Sequence, residues 1–130
     1  MVIDCDSNPR PKGVAVHGLS VRWSLKEAEP QVAQQLRDYV TKTSLLRFTG
    51  MAGLHMKTWR MIDGEWFEGT YVFQTREDRD QFLASFMPGE ASAPGSLLVG
   101  STPIAYEPFE VVAVAEGGAG FVAGPGPGGS

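Results

Sequence analysis

The chain has 130 residues, 42% of them hydrophobic and 20% charged, with a formal net charge of −4. That balance fits one globular domain with an ordinary core and excludes a disordered or fibrous chain. It also excludes a general nucleic-acid binder, because no basic stripe is present to neutralise phosphates.

Residues 1–12, ending in Asn8-Pro9-Arg10-Pro11-Lys12, read as a leader without regular structure. Asp4, Asp6 and Pro9 stand where a signal peptide needs a basic start and an apolar stretch, and no apolar run approaches a membrane span. A cytoplasmic protein that engages no membrane is the expectation. Cys5 is the only cysteine, so no internal disulfide can form. The folded domain is expected over 13–116. Its first strand spans 14–23, where Gly18 marks a bulge or a place where another group approaches the backbone.

Ser24-Leu25-Lys26-Glu27 has the capping-box pattern, although Pro30 allows a turn over 24–29 with the proline opening the helix instead. Val32, Leu36, Tyr39 and Val40 recur at helical spacing, which predicts a helix over about 30–43. Leu45, Leu46 and Phe48 form an apolar connection. Two alternating runs, 54–62 and 65–73, then meet at Asp63-Gly64, a strong hairpin signal. A two-residue turn there pairs Ile62 with Glu65. It puts Leu54, Met56, Thr58, Arg60, Phe67, Gly69, Tyr71 and Phe73 on one face. His55, Lys57, Trp59, Met61, Trp66 and Glu68 fall on the other. Thr75-Arg76-Glu77-Asp78 is a second capping signal for a helix over 76–87, stopped by Pro88-Gly89. Residues 88–102 read as a loop and 104–115 as a fourth strand, with Pro108 confining it to an edge or breaking it. The glycine- and proline-rich stretch 117–130 reads as a disordered tail.

The order strand, helix, strand, strand, helix, strand is the ferredoxin-like α+β plan, an antiparallel sheet with two helices on one face. The other sheet face would be bare on a monomer. Its tryptophans and aliphatics predict a homodimer that stacks two sheets.

Residues 51–75, with Gly53-Leu54, Lys57, Trp59, Gly69 and Tyr71-Val72-Phe73, resemble the PGL–x–x–K–x–W … GG–x–Y–x–F pattern of the YdhR-type mono-oxygenases. Met51-Ala52 replaces the usual small-Pro lead-in, and Glu68-Gly69 replaces a double glycine. Those proteins belong to the dimeric α/β-barrel superfamily, with cofactor-free antibiotic-biosynthesis monooxygenases and some polyketide cyclases. The resemblance implies a cofactor-independent monooxygenase acting on an aromatic or polyketide-like small molecule. A cyclase or isomerase on the same fold, or a non-catalytic dimeric ligand-binding module, is the alternative.

The residues suited to such chemistry are few. His55 and His17 are the only histidines, each suited to general-base work or to a plain structural hydrogen bond. Lys57 either holds a substrate phenolate or pairs with Glu68 across the strands. Trp59, Trp66 and Tyr71 are core residues or stacking walls for a flat substrate. No metal site is expected from two histidines and one cysteine, and no dinucleotide loop or nucleophile elbow is present, so no cofactor is predicted.

Overall fold

The computed structural model describes residues 16–120 and 122–124. The leader expected over 1–12, with Cys5, lies outside these residues, as do position 121 and positions 125–130 of the expected tail. The strand predicted first is β1, His17–Ser24. Its odd-numbered side chains turn inward, and Leu19 and Val21 are fully buried. β1 occupies a central place because β3, Trp66–Phe73, pairs with one edge and β4, Ala105–Glu110, with the other. β2, Leu54–Ile62, pairs with β3 and closes the sheet in the order β2-β3-β1-β4. Every neighbouring pair is antiparallel. With helical segments between β1 and β2 and between β3 and β4, this is the ferredoxin-like α+β arrangement.

The first helical segment begins later and ends later than its apolar stripe predicts. Ser24 Oγ accepts a hydrogen bond from the Lys26 amide, at 3.2 Å, which closes a local turn rather than a helix cap. Helix α1 starts past Pro30 and spans Val32–Tyr39. It then widens into a π turn over Val40–Ser44 and continues as α2, Leu45–Phe48. Leu36, Val40, Ser44 and Phe48 recur every four residues, a row that an unbroken 3.6-residue helix would rotate away from the core. The wide turn keeps it facing inward, so the expected apolar connection is helical.

At α3, Arg76–Phe86, the Thr75 hydroxyl accepts from the Asp78 amide at 3.0 Å, as the capping signal predicts. The stretch read as a loop is mostly helical. It holds a 3₁₀ turn over Met87–Ser92 and a short α4, Pro94–Val99, opened by its proline and closed by Gly100 at φ 91°. α4 docks on Trp23: a Cβ on Gly95 would lie 3.0 Å from that ring, and the indole N–H donates to the buried Ser96 Oγ at 2.9 Å. β4 is shorter than predicted, and Pro108 sits on this edge strand, where its missing donor leaves no central ladder broken. Gly18 is a place of close approach: a Cβ there would fall 1.9 Å from the Phe109 ring.

The hairpin differs from expectation in one decisive respect. The loop has three residues, Asp63, Gly64 and Glu65: Gly64 takes φ 78°, but Asp63 does not take the positive φ that a two-residue type I′ turn needs at both positions, and the Glu65 amide donates to the Ile62 carbonyl at 2.9 Å. Glu65 is further held by its carbonyl, which accepts from the Leu25 amide at 2.9 Å. Ile62 therefore pairs with Trp66, Trp59 with Gly69 and Lys57 with Tyr71. A one-residue change of register moves every β2 side chain to the opposite face. Lys57, Trp59 and Met61 thus join Phe67, Gly69, Tyr71 and Phe73 under the helices, while Met56, Thr58, Arg60 and Ile62 join Trp66 and Glu68 on the open face.

Candidate functional site

The register places a lysine where the core needs an apolar residue. Lys57 lies on the edge strand β2, and its stem crosses Gly69: a Cβ there would be 3.2 Å from Lys57 Cε. Its Nζ reaches three rings, with centroids 3.6 Å away at Phe48, 4.3 Å at Tyr71 and 4.6 Å at Trp59. Among the described residues no carboxylate pairs with it, and no acceptor takes a hydrogen bond from it. Burial, and then repulsion from Arg47, lower its pKa to about 6. The negative faces of the rings act the other way and favour the ammonium. The amine is therefore poised between its two forms near neutral pH.

Tyr71 stands beside it on β3, 3% exposed. Its ring stacks on Phe73 with centroids 5.9 Å apart and meets Phe82 at 4.6 Å. Burial raises its pKa against a smaller opposing effect of Arg47, so the phenol keeps its proton. Among the described residues the hydroxyl has no hydrogen-bond partner, an uncommon state for a buried polar group.

Two spaces meet at this point. A cavity of about 50 Å³ lies between sheet and helices, walled by Lys57, Tyr71, Phe48, Trp59, Gly69 and Trp23 among others. That is room for a few waters or a small functional group. A groove of about 480 Å³ runs along the outer edge of β2, against the π turn and α2. Its volume lies within the usual range for small-molecule sites. Val40, Phe48, Lys57 and Trp59 line both, so the amine stands where groove and cavity meet.

Of the side chains singled out in the sequence, the structure brings together Lys57, Trp59 and Tyr71. His55 is exposed: pairing shifts between Leu54 and Met56 put it in a bulge, from which it lines the groove. His17 lies at the far end of β1, opposite Phe73 and Glu110, and lines neither space. Trp66 is on the open face, with the Arg22 guanidinium 4.1 Å and that of Arg60 5.4 Å from its centroid. Nor do Lys57 and Glu68 pair, because the three-residue loop sets them on opposite faces. Glu68, 1% exposed, accepts from Arg22 Nη2 at 2.9 Å, from Thr70 Oγ1 at 3.1 Å and from Arg60. Burial pushes its carboxyl pKa up, but the hydrogen bonds from Arg60, Arg22 and Thr70 outweigh it and hold it below the usual value. Phe48 and Arg47 join the site without a motif that marks them in the sequence. Phe48 was visible only as an apolar residue after the expected helix, and extending the four-residue row from Leu36 would have found it.

Among the described residues no group of three or more His, Cys, Asp or Glu is gathered to hold a metal ion, and no helix is long and apolar enough to cross a membrane. The chemistry available at the site is that of an amine, a phenol and aromatic walls. A neutral lysine in such surroundings serves as a base or a nucleophile.

No protein-family model and no curated protein sequence matches this chain. Among solved structures it is similar to a protein of unknown function from Nitrosomonas europaea, at TM-score 0.55 and 21% identity over 79% of this chain and 95% of that one. It is also similar, at TM-score 0.45 and 15% identity over 78% and 97%, to a candidate antibiotic biosynthesis monooxygenase from Chloroflexus aurantiacus J-10-fl. At these identities the likeness is one of fold alone.

Proposed function

We propose that this protein is a cofactor-independent monooxygenase that acts on an aromatic or polyketide-like molecule seated in the β2 groove. The observation that carries this reading is the buried Lys57, paired with no carboxylate among the described residues, where groove and cavity meet. In its neutral form Lys57 takes a proton from an activated C–H or O–H of the substrate. It thereby becomes the cation that the resulting enolate or phenolate needs beside it. An electron-rich carbanion then reduces dioxygen directly: a ring methylene and O₂ give a ring ketone and water. Tyr71 donates a hydrogen bond to the substrate oxygen, and Trp59 and Phe48 hold its ring. His55, at the groove rim, exchanges protons with solvent. The sequence resemblance supports the choice of oxidation over other proton-abstraction chemistry.

Metal-free protein supplied with anthrones should consume dissolved oxygen and yield anthraquinones by mass. Lys57→Met should abolish this, and kcat/KM should rise with pH through about 6 as the amine deprotonates. Ring closure of a poly-β-ketone without oxygen uptake would identify a cyclase instead. Binding without turnover would identify a ligand-binding module, and neither binding nor turnover would overturn the reading.

We also propose that the chain works as a homodimer joined through the open sheet face. Ile62 and Met56, 50% and 44% exposed, flank the Trp66 cluster there and support a covering partner. Light scattering should report twice 14.0 kDa. Ile62→Glu should shift it toward one, and a monomer at all concentrations would refute the arrangement.

A further inference from the structure

Among the described residues, two polar groups at this site make no hydrogen bond and no ion pair: the Lys57 amine and the Tyr71 hydroxyl. Both residues line the cavity of about 50 Å³, and their side chains converge over Gly69, where a Cβ would lie 3.2 Å from Lys57 Cε and 3.6 Å from the Tyr71 hydroxyl. An anion would satisfy an ammonium, and a lone water would satisfy one group only in part. A carbonyl group satisfies both: its carbon is an electrophile for the amine and its oxygen an acceptor for the phenol. We propose that Lys57 forms an imine with small aromatic aldehydes or ketones that enter from the β2 groove, with Tyr71 as the proton donor to the carbonyl oxygen.

The step balances without any further reagent. The Nζ lone pair bonds to the carbonyl carbon, and the oxygen receives a proton from Tyr71, giving a carbinolamine. Nitrogen returns a proton to the phenolate, and a second proton transfer through Tyr71 lets the hydroxyl leave as water while the C=N bond forms. Nothing is oxidised or reduced. The surroundings favour the product. Gly69 leaves the stem of Lys57 uncrowded on one side, at 3.2 Å from where a Cβ would be. The small cavity also limits the water that would hydrolyse it. This inference rests on the same pocket as the proposed function, and it assigns that pocket carbonyl compounds as a ligand class.

The test is competitive labelling of the full chain. Benzaldehyde is added at pH 7, borohydride reduces any imine, and peptide mapping counts benzyl groups at Lys57 against the exposed Lys26 and Lys42. With a pKa of about 6 the Lys57 amine is mostly neutral at pH 7, while an ordinary lysine is almost wholly protonated. Labelling at Lys57 should be at least about tenfold faster than at the other two. Tyr71→Phe should slow Lys57 labelling severalfold without changing that of Lys42. Labelling of Lys57 no faster than of Lys42 would overturn the proposal, and an unchanged rate in Tyr71→Phe would remove Tyr71 from it. Anthrone oxidation without labelling would leave proton abstraction standing and dismiss the imine. Labelling without anthrone oxidation would do the reverse.

Discussion

Replacing Lys57 with methionine should stabilise the protein at neutral pH, and by an amount that depends on pH in a defined way. The unfolded chain holds this lysine at its ordinary value of 10.5, whereas burial and Arg47 bring it to about 6 in the fold. Between those values the unfolded state carries the extra proton, so the penalty of burying the amine is greatest below pH 6 and disappears as pH rises through 10.5. Each pH unit below 10.5 weights the equilibrium by about 1.4 kcal/mol. At pH 7 the penalty is therefore about 5 kcal/mol. Methionine has nearly the same length, fills the same path across Gly69 and needs no proton.

Urea denaturation of both proteins at pH 6, 7, 8 and 9 measures the difference directly. The variant should exceed the native chain by up to about 5 kcal/mol at pH 7, and the gap should narrow by roughly 1.4 kcal/mol per pH unit to about 2 kcal/mol at pH 9. A constant gap over that range would mean that the amine stays protonated in the fold. The base and the nucleophile described for Lys57 would both then fail. A variant less stable than the native chain at every pH would show that the ammonium is held by the rings more strongly than burial opposes it.

Three further outcomes test other parts of the structure. Glu68→Gln should cost about 3 kcal/mol in urea denaturation at pH 7, because Arg22 and Arg60 lose their shared buried carboxylate. That contribution should fade in the native chain as pH falls through the lowered carboxyl pKa, below 4.5, so the two proteins converge in acid. Gly18→Ala should cost about 2 kcal/mol by displacing the Phe109 ring, and amide exchange should quicken over 105–110 while β2 keeps its protection. Gly64→Ala should cost about 1 kcal/mol in thermal or urea unfolding purely from the positive φ, since nothing lies within 4 Å of its Cβ position.

The element order was legible because each signal was local. Asp63-Gly64 ended one alternating run and began another, Thr75 with Asp78 made a real cap, and Pro108 did fall on an edge strand. Register was not local. An Asp-Gly loop of two residues and one of three share the same sequence signal, and what decides between them here is Gly64 at φ 78° with Glu65 tied to Leu25. The apolar pattern of β2 could not arbitrate, because both of its faces mix kinds: Lys57 with Trp59 and Met61 on one, Arg60 with Met56 and Ile62 on the other. α4 was hidden for a related reason. Glycine, proline and serine read as loop formers, yet Pro94, Gly95 and Ser96 are what a short helix needs to start and to approach Trp23.

The same change of register gives Lys57 surroundings other than those its sequence pattern implies. A Lys57–Glu68 pair would have been a neutralised, structural feature. Separating them gives Glu68 two arginines and a place on the open face, and leaves Lys57 among rings with no counter-charge from the described residues. The fold can accept that amine because β2 is an edge strand: the groove beside it gives the lysine stem an exit toward solvent that a central strand lacks. Gly69 completes the arrangement from the neighbouring strand, since any larger residue would press on the stem at Cε. The setting of Lys57 thus follows from three ordinary facts: a three-residue loop containing a glycine, a glycine opposite Trp59, and a lysine on an edge strand.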